Sequence, residues 1–306
     1  MTRHAVTAVR IGVMIARLHK TSRNADATAA SETSCHGHWN SVAAHWKHWG
    51  PPLRPSPEDI AAMHGAVADW CIRSARNDPR VLLLGVTPEI ATMPWPDGTR
   101  LWAVDRSAEM IELVWPGDLP GRREALFGEW LEMPFADAEF DIVIGDGCFI
   151  HMAYPVGWRS LAARLRRLLR DDGLMALRFF VQGAAKESVA EVYADLQRGA
   201  IGSFHAFKWR LAMALQESSD AGVCLHDIWL NWESSGLNAP ELAHQTGWTR
   251  ESIESIHLYR EKRVNHSFPT LDEAIATLGP SFCPTAIHHP GYELGARCPI
   301  VGLRPV

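Results

Sequence analysis

Residues 80–105 read RVLLLGVTPEIATMPWPDGTRLWAVD. A short apolar run, Val81-Leu82-Leu83-Leu84, ends at Gly85 and passes through Thr87-Pro88-Glu89 to a second apolar run, Leu101-Trp102-Ala103-Val104, which closes on Asp105. An unbroken apolar run followed by a tight turn and a helix start predicts a parallel strand buried on both faces and feeding a helix. The acidic residue falls twenty positions after the glycine. In nucleotide-binding α/β folds a carboxylate at the end of the second strand takes the ribose hydroxyls.

The chain downstream carries motifs that agree with this frame. Asp105-Arg106-Ser107 leads into Ala108-Glu109-Met110-Ile111. Gly128-Glu129-Trp130-Leu131-Glu132-Met133-Pro134-Phe135 precedes the apolar run Phe140-Asp141-Ile142-Val143-Ile144. Leu165 to Gly173 is basic and amphipathic, and enters Leu174-Met175-Ala176-Leu177-Arg178. Strands are expected near 80–84, 100–104, 124–127, 140–145 and 173–181, with helices between them, notably 158–170. This ordered series resembles the class I S-adenosylmethionine-dependent methyltransferases over about Arg80 to Val181. The resemblance implies a Rossmann-like α/β fold: a seven-stranded, mostly parallel sheet with helices on both faces, an N-terminal helical lid and a helical insertion after strand 5. The family's first loop is rich in glycine, whereas here only Gly85 remains, with Thr87 and Glu89 where glycines usually stand.

Composition narrows the function. The chain has 306 residues, 47% hydrophobic and 21% charged, with a net charge of −5, so it has no basic excess to neutralise a nucleic-acid backbone. The five arginines between Arg159 and Arg170 read as a solvated helix face. No apolar run approaches the roughly 20 residues of a membrane span. Six cysteines are scattered without a CxxC pair, which suits reduced thiols in a cytoplasm. Cys35-His36-Gly37-His38 and Cys283…His288-His289…Cys298 lack zinc spacing, and no metal is expected.

Five segments are expected: a disordered tail over 1–35, a helical lid over 36–78, a cofactor-binding core over 79–182, a helical insertion over 183–250 that caps the substrate, and closing strands over 251–306. In the lid, Trp39, Val42, Trp46 and Trp49 share one helical face. After the break at Gly50-Pro51-Pro52, Ser56 and Pro57 start a second helix that ends near Arg76. At the C-terminus, Glu254–Tyr259 and Pro299–Leu303 read as strands, with a capped helix opening at Thr270 between them.

The resemblance assigns residues to roles. Gly85 turns beneath the methionine part of the cofactor, and Thr87 and Glu89 stand where side chains can hold its ammonium and carboxylate. Asp105, with Arg106 beside it, takes the ribose; Met110 and Trp130 flank the adenine; Gly128-Glu129 matches the family's Gly-Asp pair at the adenine amino group. Asp146, Gly147 and Cys148 follow the fourth strand and complete the cofactor set. His151 is the candidate catalytic base, because imidazole titrates near neutrality. Trp39, Trp46 and Trp49 on the lid, and His226, Trp229 and Trp232 in the insertion, are the candidate substrate contacts. The Asn/Asp-Pro-Pro-Tyr/Phe motif of the DNA amino-methylating branch is absent after the fourth strand, and no cluster of Asp and Asn ligands marks the divalent-cation branch. The expected activity is methyl transfer from S-adenosyl-L-methionine to an O, N or S atom of a small aromatic or heteroaromatic metabolite in the cytoplasm. The alternative is a non-catalytic or non-methylating S-adenosylmethionine-binding protein on the same fold.

Overall fold

The computed structural model describes residues 42–306; the expected tail over 1–35 and Trp39 lie outside the described residues. Among the described residues nine strands are formed: β1 Arg80–Leu84, β2 Arg100–Asp105, β3 Arg123–Phe127, β4 Phe140–Asp146, β5 Leu169–Arg178, β6 Val223–Cys224, β7 Asn265–His266, β8 Phe282–His288 and β9 Ile300–Pro305. Seven of them make one sheet in the order β3-β2-β1-β4-β5-β9-β8, and β6 pairs only with β7. β1 to β5 run parallel, while β9 is antiparallel to both of its neighbours. No helix among the described residues is long and apolar enough to cross a membrane.

The apolar runs are continuous because both faces of the sheet are covered. Val81 and Leu83 face α1 (Pro57–Ser74) and pack with its Met63, Val67 and Trp70. Leu82 and Leu84 belong to the opposite face, with Trp158, Leu161 and Leu165 of a later helix, α4. Ser56 starts α1 with a reciprocal capping box to Asp59. α2 (Pro88–Ala91) and α3 (Ala108–Leu113) follow β1 and β2, and α4 (Val156–Leu168) follows β4.

Beyond β5 the chain builds a helical cap: α5 Val189–Gln197, α6 Phe204–Leu215, α7 Leu225–Ser234, α8 Ala239–Thr246 and α9 Arg250–Glu254. These enclose a third hydrophobic cluster around Phe204, Phe207, Trp209 and Trp232. The segment 254–259, expected as a strand, is instead a 3-10 helix over Ser255–Tyr259 that belongs to this cap. Ile253, Ile256 and Tyr259 are buried at a spacing of three, which is the period of a 3-10 turn and not of a strand. The sheet resumes after α10 (Leu271–Leu278) with β8, which the sequence reading missed. Pro284 hides it. Proline is tolerated there because β8 is the edge strand and its register is irregular between Pro284 and Ala286.

Candidate active site

β1 lies between β2 and β4, and the chain leaves it in opposite directions along the sheet. Loops therefore diverge at the carboxyl ends of β1 and β4 and leave a crevice, the position where open α/β sheets hold ligands. A cavity of about 660 Å³ occupies it, within the range of small-molecule sites.

One half of the cavity is built from the strand ends. Gly85 turns after β1 with a φ of +84°, a left-handed backbone that favours glycine, and its Cα faces Asp105, whose Oδ2 would lie 3.7 Å from an added Cβ. Asp105 Oδ1 accepts from the Ser107 backbone N–H at 2.8 Å. Burial raises the Asp105 carboxyl to about 6, against the lowering effect of that hydrogen bond and of the Arg106 guanidinium. Thr87, Met110, Gly128, Glu129 and Trp130 line the same half, with Arg106 in an ion pair to Glu129 at 3.9 Å. The Trp130 indole is held by its N–H donating to the Val104 carbonyl at 2.8 Å. A buried carboxylate open to the cavity, a Gly-Glu pair, an indole and an apolar thioether fit a nucleoside.

Asp146, Gly147 and Cys148 line the floor after β4. Asp146 accepts from Arg178 Nε at 2.5 Å, and Arg178 also donates to the Tyr292 hydroxyl at 3.0 Å, to Asp59 at 3.4 Å and to the Pro52 carbonyl at 2.9 Å. Burial pushes the Cys148 thiol well above its ordinary value, so Cys148 is a packing residue here and not a nucleophile. Gly147 has a φ of +60°, and a Cβ there would fall 2.3 Å from Phe180 Cε2. Gly147→Ala is expected to cost about 2 kcal/mol of stability, because the ring of Phe180 must move out of a packed wall; urea unfolding of the variant checks this, and an unchanged midpoint would contradict the packing.

The other half is aromatic. Trp46 and Trp49 stack on each other with centroids 6.2 Å apart, and Ile150, His151, Phe180, Trp209, Tyr259 and His266 complete the wall. His151, at the end of the 3-10 turn Cys148–His151, meets His266 edge to face at 5.2 Å. His266 is fully buried, and burial lowers its pKa to about 4, so it stays a neutral imidazole. Among the described residues, Trp46 Nε1, Trp49 Nε1, Trp209 Nε1 and His266 Nδ1 are sealed off without a hydrogen-bond partner. Residues 46–49 are pinned to the cap by His205 Nε2 at 3.1 Å and Ser252 Oγ at 3.3 Å, both on the His48 carbonyl.

Four sequence candidates sit elsewhere. Glu89 does not line the cavity: Arg54 Nε donates to it at 2.8 Å, and the same guanidinium reaches the Trp46 carbonyl at 3.2 Å. That bridge fastens the tryptophan segment to α2. Trp232 is buried against Phe204 and Phe207 in the cap core. His226 stacks on Trp229, and Trp229 is held by His257 Nδ1 at 3.2 Å, both away from the cavity. The α7 residues are turned inward to the cap because the helix buries its own apolar stripe there. Of the wall, Phe180, Trp209, Tyr259 and His266 were not legible: they come from the segment after β5, from α6, from the 3-10 turn and from β7, with no shared spacing.

The family model described as the methyltransferase domain matches residues 82–177. No curated protein matches the sequence. Among solved structures, the chain is similar to the CcbJ methyltransferase from Streptomyces caelestis, at 12% identity over 88% of this chain and 98% of that one, with a TM-score of 0.50. It is also similar to a Rhodobacter sphaeroides protein described as a zinc-dependent alcohol dehydrogenase, at 10% identity over 89% and 99%, with a TM-score of 0.55. A third is the 1,6-didemethyltoxoflavin-N1-methyltransferase from Burkholderia thailandensis, at 18% identity over 92% and 93% with a TM-score of 0.49, solved with 1,6-didemethyltoxoflavin and S-adenosylhomocysteine bound. At these identities the likenesses are of fold, which alone carries no activity.

Proposed function

This chain carries an S-adenosylmethionine-dependent methyltransferase domain over residues 82–177, and from that premise we propose that it methylates an O, N or S atom of a small, flat, aromatic or heteroaromatic acceptor. The observation that supports this reading most is the continuity of the cavity: the nucleoside-fitting strand ends and the aromatic wall line one space.

When bound, S-adenosylmethionine supplies an electrophilic methyl group on a sulfonium. Asp105 would hold the ribose, Glu129 the adenine amino group, and Met110 and Trp130 the adenine faces. Trp46, Trp49, Phe180 and Trp209 would clamp the acceptor between rings and exclude water, which fixes its approach to the methyl carbon. His151, where the acceptor carries a proton, would take it on a ring nitrogen. The segment that carries Trp46, Trp49 and Leu53 acts as the lid in this reading, while α1 after it covers a face of the sheet; the insertion over 183–250, together with the cap elements up to His266, closes the acceptor side.

The test is incubation with methyl-labelled S-adenosylmethionine and a library of aromatic hydroxy, amino and thiol compounds, read by mass spectrometry. Label in a library member supports the reading; label only in added nucleic acid or protein would sink it. Trp49→Ala should raise the acceptor's Michaelis constant by about tenfold while S-adenosylhomocysteine affinity changes less than twofold, since the ring stacks on Trp46 and not at the strand ends. Equal losses in both would place Trp49 in general packing.

A further inference from the structure

Lys208 lies on α6 and is fully buried. Its ammonium donates to Ser255 Oγ at 2.8 Å and sits among three rings, 5.2 Å from the Trp49 centroid, 5.2 Å from Tyr259 and 5.9 Å from Phe204. Among the described residues no carboxylate pairs with it. The titratable groups that face it are His205, one turn earlier on α6, and Tyr259. Burial and the charge of Lys208 hold His205 near 3, and burial raises the Tyr259 hydroxyl. A buried cation without a counter-ion costs stability, and an apolar replacement is commonly neutral or stabilising.

Two of the three caging rings, Trp49 and Tyr259, are walls of the cavity. The ammonium therefore stands one ring-width behind the surface that the acceptor meets. The cavity's carboxylates, Asp105, Glu129, Glu132 and Asp146, all belong to the strand-end half. The acceptor half thus carries no negative side chain, two histidines, and a positive charge behind its wall.

We propose that Lys208 is a specificity-determining residue that makes the acceptor chamber select flat aromatic compounds bearing an ionised acidic group, such as a carboxylate or phenolate, over neutral and cationic analogues. This selectivity rests on the methyltransferase reading for the identity of the chamber. A unit charge at that remove in a partly desolvated chamber favours an anion over its neutral analogue by about tenfold. Burial lowers the Lys208 pKa to about 7, so the preference should weaken as pH rises through 7.

The experiment measures binding of naphthoate, naphthalenemethanol and naphthylmethylammonium to the full-length protein saturated with S-adenosylhomocysteine, by tryptophan fluorescence. Wild type is expected to bind naphthoate about tenfold tighter than the alcohol, with the cation weakest. Lys208→Met should bind the alcohol as wild type does, lose the preference for naphthoate, and melt at the same or a higher temperature. Should that variant fail to fold, the pH series on wild type decides alone: the preference must fade between pH 6 and 9, a window set about the value of 7. Absence of anion preference in wild type, its persistence in Lys208→Met, or its indifference to pH overturns the proposal. Saturation with S-adenosylhomocysteine is measured separately by calorimetry; its failure counts against the methyltransferase reading and not against the role of Lys208.

Discussion

Arg178→Met is expected to lose on the order of 3–5 kcal/mol of folding stability, the cost of breaking a buried ion pair from one side. Arg178 and Asp59 have no exposed side-chain surface and Asp146 almost none. Burial opposes the guanidinium's charge, but Asp146 against it keeps it protonated. Removing it strands two carboxylates in a dry interior. It also removes the donor to the Pro52 carbonyl and one of the two partners of the Tyr292 hydroxyl, which keeps its bond to Asp59, and so loosens the connection between the tryptophan segment and the floor of the cavity. Denaturant unfolding measures the loss. A triple variant that also carries Asp59→Asn and Asp146→Asn should regain part of it, because the uncompensated charges are gone. An Arg178→Met protein as stable as wild type would mean that water reaches the network.

Asp105→Ala is expected to weaken S-adenosylhomocysteine binding at least tenfold in a protein that still folds, since two ribose hydroxyls lose their acceptor at about 1–3 kcal/mol per unmet partner. Calorimetric titration checks the affinity and circular dichroism the fold; near wild-type affinity would remove Asp105 from the site. The carboxyl has a definite pH signature. Its folded value of about 6 lies above the ordinary 3.8, so its contribution to stability is full below about pH 4 and is lost as pH rises through 6. Ligand binding runs the other way, because ribose hydroxyls donate best to the ionised form. Affinity should therefore fall as pH drops through 6, and Asp105→Asn should abolish that slope.

The parallel core was legible from the chain because its signal is local. Four-residue apolar runs such as Val81–Leu84 can only be buried on both faces, and Gly85, Asp105 and Gly128 sit within a few residues of the strands that aim them. Every candidate placed at a strand end, except Glu89, lines the cavity. Glu89 was misplaced because its partner, Arg54, is 35 residues earlier, and no spacing links the two.

The acceptor side is different in kind. Its walls come from a pinned segment at 46–49, from the segment after β5, from α6, from a 3-10 turn and from a two-stranded ribbon. Aromatic residues in the cap look alike in sequence whether they fill its core, as Trp232 does, or face the cavity, as Trp209 does. Only packing separates them: α7 spends its apolar stripe on the cap interior, while α6 is buried all round, with Trp209 on the cavity wall and Lys208 behind Trp49 and Tyr259. The sequence by itself determined the parallel strands β1 to β5, the turn at Gly85 and the carboxylate at Asp105, since each follows from a period or spacing within one strand-turn-helix unit. The tertiary structure alone decided which aromatic rings and which buried charge meet the acceptor, since those contacts join separate elements distant in the chain and no local pattern encodes them.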